Sequence, residues 1–117
     1  MKNILIIQGG GRPNGNTAQL VEHFARGAKE AGHTVEVISL RKQEVKGCMG
    51  CNACRYGKPC VQKDSFNELV PKIKDADCIV FASPLLFWTI SAQLKALIER
   101  FYCIAEEDPN PPLGRYE

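Results

Sequence analysis

The stretch "ILIIQGGGRPNGNT", residues 4–17, decides the fold, because an apolar run leads directly into a glycine-rich turn. Such a run is typical of a strand in a parallel sheet whose two faces are covered by helices. From Thr17 onward the sequence predicts a helix that stops near Gly32. Its inward face is predicted to be Leu20, Val21, Phe24, Ala28 and Ala31.

Two further strands are predicted. The segment "TVEVISL", residues 34–40, places polar residues between apolar ones, which favours an edge strand. The segment "CIVFA", residues 78–82, is a continuous apolar run and indicates a strand with neighbours on both sides. Cys78 and the distant Cys103 are expected to be small buried hydrophobic residues.

Two further helices are also predicted. One runs from Asp64 or Ser65 to about Lys74, although Pro71 is expected to kink or shorten it. The other begins near Ser91. The inward residues are Phe66, Leu69, Val70 and Ile73 in the first helix, and Leu94, Leu97, Ile98 and Phe101 in the second. The alternation of strands and helices predicts a doubly wound parallel sheet with right-handed crossovers.

The composition is that of a single globular domain, with 117 residues, 44% hydrophobic and 24% charged, and a net charge of +2. The charges of both signs are interspersed, so nucleic acid is not an expected partner. No apolar run approaches the roughly 18 residues of a membrane span, and no export signal is expected. We therefore expect a cytoplasmic protein whose six cysteines are reduced.

The glycine-rich turn fits neither of two common phosphate-binding patterns. Asn14 occupies the place of the third glycine of the dinucleotide pattern, and Asn16 replaces the lysine of the triphosphate pattern. A single terminal phosphate, bound by backbone N–H groups at a helix N-terminus, fits best. An ordinary strand-to-helix turn capped by Asn16 or Thr17 is the alternative. The predicted phosphate contacts are Gly10, Gly11, Arg12, Asn14, Gly15, Asn16 and Thr17.

A second loop is predicted to reach the same rim of the sheet. Ligands of doubly wound sheets bind beyond the carboxyl ends of the strands, where the strand order reverses. The segment "SPLLFWT", residues 83–89, follows the third strand at that point. It can form a subunit interface, or an apolar wall for a flat ring system. The predicted wall consists of Pro84, Leu85, Leu86, Phe87 and Trp88.

Four cysteines lie close together in the pattern Cys48-x2-Cys51-x2-Cys54-x5-Cys60. Zinc sites usually hold two cysteine pairs separated by a longer stretch, so this spacing matches zinc poorly. The C-x2-C-x2-C run is instead typical of ferredoxin-type iron–sulfur sites, for which Cys60 can supply the fourth ligand. Free, redox-labile thiols are the alternative.

The same segments resemble a known family. The glycine-rich turn is similar to the "GSPRxNGNT" loop of the flavodoxin-like NADPH-dependent FMN reductases, which include the iron–sulfur flavoproteins. The segment "SPLLFWTISAQLKALIER", residues 83–100, resembles that family's "SPxYxxxxSAxLKxxIDR". The cysteine cluster and the following "QKDSF" are similar to a third landmark of the family. The resemblance covers the chain from its start to about Phe101.

The resemblance implies a flavodoxin-like sheet and an FMN-dependent oxidoreductase with NAD(P)H as the electron donor. FMN would bind across the two loops, and the four clustered cysteines would ligate a [4Fe–4S] cluster. The expected function is a flavin- or quinone-type reductase or an electron-transfer iron–sulfur flavoprotein, with a small molecule or a protein as the acceptor. No side chain is expected to act as a catalytic acid or base, since the flavin carries the chemistry. The alternative is a non-catalytic metal- or redox-sensing module built on the cysteines.

This sequence departs from the family's pattern in several places. Gly10 and Gly11 replace a serine and a proline, which removes a hydroxyl from the phosphate loop. Leu86 replaces a tyrosine, and Trp88 stands where a small residue is common. These differences concern flavin stacking and affinity, and they leave the identity of the predicted site unchanged.

The chain is also shorter than a complete flavodoxin-like domain. Such sheets have the strand order 2-1-3-4-5, so this chain is expected to supply the order 2-1-3 without the last two strands. We expect a truncated FMN-binding domain at residues 1–105, followed by a Pro-rich acidic tail at 106–117. The edge of the third strand would be open, so either the chain is a truncated form of a longer protein or another subunit covers that edge. The expected partner in the second case is a further copy of the chain, in a dimer or a tetramer.

Overall fold

The structure is a computed structural model that describes residues 1–54 and 58–104. A single parallel sheet has the strand order β2-β1-β3, as predicted. In its register, Ile6 of the central strand lies between Val37 and Val80. The strands are β1 (Asn3–Gln8), β2 (Thr34–Ser39) and β3 (Cys78–Ala82).

Each strand is followed by a helix, with an additional short turn after β2. The helices are α1 (Asn16–Glu30), α2 (Ser65–Asp75) and α3 (Ala92–Arg100). Single 3-10 turns occupy Leu40–Lys42 and Phe101–Cys103. The predicted tail, residues 106–117, lies outside the described residues. In the part of the chain that the structure describes, every helix is too short or too polar to cross a membrane.

The core has two layers, one on each face of the sheet. On one face, Ile6 packs with Val21 and Ala25 of α1. The other face packs against α2 and α3 in a larger cluster, which contains Leu5, Ile7, Ile38, Leu40, Phe66, Leu69, Ile73, Leu94 and Leu97. Helices therefore cover both faces of β1, which explains why its sequence is continuously apolar.

The inward face of α1 differs from the prediction. Leu20 and Phe24, which we expected to point inward, are 72% and 48% exposed. Val21 is buried as predicted, and the second buried residue is Ala25, which was not predicted. Leu20 and Phe24 each precede a buried residue by one position, which places them about 100° around the helix from the contact stripe. The predicted stop is correct, because Gly32 has a positive φ of 91° just beyond the helix.

α2 ends within one residue of the predicted Lys74, so Pro71 does not shorten it. The helix continues beyond it to Asp75, with Phe66, Leu69 and Ile73 buried on one side. The proline removes the backbone hydrogen bond that would reach back to Asn67. Because Asn67 is exposed, its carbonyl can bond to water instead.

β3 has the open edge that was expected for this chain, but its side chains are more exposed than its apolar sequence indicates. Within the described residues β3 pairs with β1 alone, so one of its edges has no neighbour. Cys78 is exposed, and Phe81 is 43% exposed, although both lie in an apolar run. The prediction that Cys78 is buried is therefore wrong for this chain, and Cys103 is only half-buried.

Candidate functional site

The loop after β1 is held tightly against β3 and α3. The Gly9 N–H donates a 2.7 Å hydrogen bond to the Ala82 carbonyl. A Cβ added at Gly9 would lie 2.5 Å from Ser91 Oγ and 2.9 Å from Leu94 Cβ, distances that no side chain tolerates. Gly9 therefore allows close packing between the loop after β1 and the loop after β3. This packing places the residues that follow Gly9 at the rim of the sheet.

The N-terminus of α1 is arranged to receive an anion. Its N-cap is Gly15, which forms no side-chain capping bond, and its first turn carries no acidic residue. The alternative of a turn capped by Asn16 or Thr17 is therefore not what the structure contains. The N–H groups of the first turn are left available, and Arg12 lies beside Gly15. Uncapped N–H groups and a nearby cation together favour a phosphate.

The loop after β3 is closed at its base by two serines. The Ser91 N–H donates a 2.8 Å hydrogen bond to Ser83 Oγ, and that hydroxyl donates to the Pro84 carbonyl at 2.8 Å. Ser91 is fully buried and also caps α3, because its Oγ accepts from the Leu94 N–H at 3.2 Å. These bonds fix where the loop leaves the sheet and where it returns.

The tip of this loop is a tight turn with a strained backbone. Leu86 and Thr89 exchange backbone hydrogen bonds of 2.9 and 3.2 Å. Between them, Phe87 and Trp88 have positive φ angles of 45° and 72°, as in a type I′ turn. Their side chains are 92% and 85% exposed. Left-handed backbone costs a non-glycine residue roughly 1–2 kcal/mol, and such strain is concentrated at functional sites.

The two loops line one open cleft of about 240 Å³. The cleft brings together most of the residues predicted to bind the cofactor. A Cβ on Gly10 would lie 3.6 Å from Thr17 and 3.7 Å from Pro84, which shows how closely the loops approach. Asn14, Leu86, Phe87 and Trp88 lie outside the lining. The lining residues are Gly10, Gly11, Arg12, Gly15, Asn16, Thr17, Pro84 and Leu85.

The predicted cysteines line a second, separate cavity. Cys48, Cys51, Cys54 and Cys60 all border it, and so does Cys103, which the sequence analysis did not include. All five are free thiols. Among residues 1–54 and 58–104, no three potential ligands converge on the position of a single metal ion.

The backbone of the cysteine loop is held by neighbouring helices. Glu99 of α3 accepts from the Cys48 N–H at 3.1 Å, and it leaves no room for a Cβ on Gly47, which would lie 2.8 Å from the carboxylate. The Tyr102 hydroxyl donates to Asn52 Oδ1 at 2.6 Å. The Gly50 N–H donates to Cys48 Sγ at 3.4 Å.

A buried ion pair lies behind the cysteine cavity. Arg100 Nη1 is 2.7 Å from Asp64 Oδ2, and Nη2 is 3.1 Å from Oδ1, in a two-pronged arrangement. The side chains are 1% and 3% exposed. The Arg100 guanidinium also stands 4.8 Å above the Phe66 ring and donates to the Lys46 carbonyl. Arg100 thus joins α3, the start of α2 and the cysteine loop.

Burial and charge act in opposite directions on this pair. Burial alone would raise the pKa of the Asp64 carboxyl, but hydrogen bonds from Arg100 and from the Lys46 N–H lower it below its ordinary value. Burial would lower the pKa of Arg100, and the bonds to Asp64 raise it. Both groups therefore remain charged at neutral pH.

The thiols that face inward are poorer acids than ordinary cysteines. Burial raises the pKa of Cys103 to about 11, with a smaller effect from Cys60 and Cys54. Burial also raises the pKa of Cys54. A bound cation or cluster would reverse this effect, since a coordinating thiol loses its proton.

The sequence analysis did not identify Arg100, Asp64 or Cys103 as residues of the site. One signal was available, because Arg100 follows Leu94 and Leu97 at intervals of three along the inward stripe of α3. A charged residue at such a position is nearly always paired. Its partner lies 36 residues away, which the sequence does not reveal.

The fold and the site together define a flavodoxin-like domain, and comparison with known proteins identifies the family. The chain belongs to the NADPH-dependent FMN reductase family, whose family model matches residues 2–114. This confirms the family expected from the sequence. The chain is 40% identical over 97 residues to an iron–sulfur flavoprotein of Methanocaldococcus jannaschii, with 83% of this chain and 50% of that protein covered.

A second relative agrees with this assignment, and a solved structure agrees with the fold. An iron–sulfur flavoprotein of Archaeoglobus fulgidus is 41% identical over 91 residues, which cover 77% of this chain and 45% of that one. An NAD(P)H:quinone oxidoreductase from Methanothermobacter marburgensis superposes with a TM-score of 0.72 at 22% identity, covering 86% of this chain and 53% of that structure. The chain spans about half the length of the curated relatives it matches.

Proposed function

We propose that this chain forms the FMN-binding part of an NAD(P)H-dependent oxidoreductase. The observation that carries the proposal is the single cleft shared by the loops after β1 and β3, at the uncapped N-terminus of α1. The FMN phosphate would lie against Gly10, Gly11 and the first turn of α1, with Arg12 beside it. The flavin ring would extend toward Pro84 and Leu85.

The strained tip of the loop after β3 would contact the side of the flavin ring that does not face Pro84 and Leu85. Phe87 and Trp88 are held at the tip, almost fully exposed, by a backbone that bulky residues rarely adopt. Bound FMN would receive a pair of electrons from NAD(P)H and release them to an acceptor. The residues of this chain would bind the phosphate, orient the ring and shield one of its faces from water.

We further propose that Cys48, Cys51, Cys54 and Cys60 hold a [4Fe–4S] cluster. Their thiols share a cavity with apolar Met49 and with a buried arginine, surroundings that suit an anionic cluster. A four-iron cluster is larger than one ion, so its thiols need not converge on one point. With the cluster, the protein would exchange electrons between the flavin and a small-molecule or protein acceptor.

The whole protein would then be an iron–sulfur flavoprotein, or a flavin- or quinone-type reductase if the cluster is absent. We propose that it acts as a homo-oligomer in a reducing compartment such as the cytoplasm. Exposed Phe81 and the edge of β3, which is open among the described residues, support association with further protein, since an uncovered strand edge invites pairing. The non-catalytic metal-sensing alternative is less favoured, because it leaves the cleft and the family membership unexplained.

The visible spectrum of anaerobically purified protein tests the proposal. Flavin bands over a broad brown absorbance are expected, with iron and acid-labile sulfide present. Flavin bands without iron would support the reductase and overturn the cluster. A colourless protein that also fails to bind added FMN would overturn the proposed function.

A further inference from the structure

Arg100 has one donor that the ion pair with Asp64 does not use. Its two terminal nitrogens bond to Asp64 and to the Lys46 carbonyl. The third nitrogen, Nε, is buried and has no hydrogen-bond partner among the described residues. A buried N–H without an acceptor is destabilising and is rare in native proteins, so this donor requires an explanation.

The unused donor belongs to a side chain that borders the cysteine cavity. Arg100 lines that cavity together with Cys54, Cys60 and Cys103. Cys60 is one of the proposed cluster ligands that line this cavity with Arg100, and a ligand thiolate can accept a hydrogen bond from a guanidinium N–H.

The way in which Asp64 binds Arg100 determines which guanidinium nitrogen is left for another acceptor. Both carboxylate oxygens of Asp64 engage the terminal nitrogens, so Nε is the nitrogen that the carboxylate leaves unengaged. A hydrogen bond to a cluster sulfur stabilises added negative charge and raises the reduction potential of an iron–sulfur centre.

We propose that Arg100 is a positioning residue for the cluster, whose Nε–H donates a hydrogen bond to the Cys60 thiolate and thereby favours the reduced state. The inference rests on the proposed iron–sulfur function. It concerns a residue outside the cysteine motif, supplied by α3. Arg100 also fixes the cysteine loop through Lys46, so one side chain would set both the position and the potential of the cluster.

The test is an anaerobic potentiometric titration of the cluster-loaded chain. Dithionite is the reductant, and mediator dyes pass one electron from it to each cluster. Arg100→Lys keeps a cation for Asp64 but has no N–H at the Nε position. We expect the equilibrium constant for cluster reduction to fall at least tenfold, which is about 59 mV for a one-electron couple. The FMN potential in the same sample should not move.

Matched variants separate this role from a merely structural one. Arg26→Lys changes an exposed arginine of α1 and should leave both potentials unchanged. If Arg100→Lys does not fold, the double variant Asp64→Asn/Arg100→Gln removes both charges together, and the same fall is expected. An unchanged cluster potential at equal iron and sulfide content would overturn the role of Arg100 alone. A wild-type chain that binds FMN but takes up no iron would overturn the cluster and this inference together.

Discussion

Gly9 and Ser91 stand so close that only a hydrogen atom fits between the Gly9 Cα and the Ser91 hydroxyl. Ser91 in turn accepts the Leu94 N–H and begins α3. The loop after β1 and the loop after β3 therefore meet at one packed junction. The cleft proposed for FMN lies directly beyond it, so its shape depends on this contact.

Replacing Gly9 by alanine should destabilise the fold and weaken FMN binding. The added methyl group would collide with Ser91 Oγ and Leu94 Cβ, and overpacking of this kind costs about 1–3 kcal/mol. Urea unfolding and an FMN titration measure the two effects. Gly27→Ala is the control, because nothing lies within 4 Å of its added Cβ and alanine should stabilise α1 by about 1 kcal/mol. Equal stability of the two variants would contradict the packed junction.

Trp88→Gly should make the protein more stable and a poorer flavin binder. Glycine adopts the positive φ of 72° without strain, which should raise the free energy of unfolding by about 1 kcal/mol. The lost indole should weaken FMN binding in a fluorescence titration. Phe24→Ala, another exposed aromatic residue, on α1, should leave FMN affinity unchanged. Unaltered affinity in Trp88→Gly would show that the tip does not contact the ring.

Acid should lower the free energy of unfolding because it protonates the Asp64 carboxylate. Its pKa is lowered in the folded state, so its stabilising effect is complete above the ordinary carboxyl pKa and is lost as the pH falls through the folded value. The free energy of unfolding should therefore fall as the pH drops below about 5. Asp64→Asn should remove this pH dependence and cost about 3–5 kcal/mol at pH 7, because Arg100 stays buried and charged.

A matched surface variant checks that interpretation. Asp75→Asn, on the exposed side of α2, should change stability by less than about 0.5 kcal/mol at pH 7. If Asp64→Asn retains the acid sensitivity of the unsubstituted chain, another group is responsible for it.

Cys54→Ser should abolish iron content while flavin stays bound. The substitution removes one of the proposed ligands, and the FMN cleft has a separate lining. Iron and sulfide assays, with flavin absorbance from the same sample, provide the measurement. Cys78→Ser is the control, since Cys78 is exposed on β3 and away from the cavity. Iron loss in both variants, or in neither, would argue against the assigned cysteines.

The elements of the fold could be predicted because their signals are local. The apolar run of β1, the turn at residue 9 and the stop at Gly32 each depend on neighbouring residues. The inward face of α1 was harder, since Leu20 and Val21 are equally apolar and only tertiary packing decides which is buried. The apolar sequence of β3 is typical of a strand with two neighbours, and the open edge expected from the strand order 2-1-3 is present in the described residues.

The site could be predicted only where motifs mark it. The turn at Phe87 and Trp88 carries none of the asparagine or glycine residues that usually signal a type I′ turn, so its conformation had no sequence signal. The pairing of Arg100 with Asp64 and the approach of Cys103 to the clustered cysteines arise from long-range packing. Spacing along the chain does not encode such contacts.

The central claim is that the first turn of α1 binds the FMN phosphate, and a paired titration with FMN and riboflavin tests it most directly. Charge-assisted hydrogen bonds to the phosphate should make FMN bind about tenfold more tightly or better. Asn16→Ala/Thr17→Ala should reduce that preference and leave riboflavin affinity unchanged, whereas Arg26→Gln, on the exposed side of α1, should retain it. Equal affinities of the unsubstituted chain for FMN and riboflavin would contradict the account.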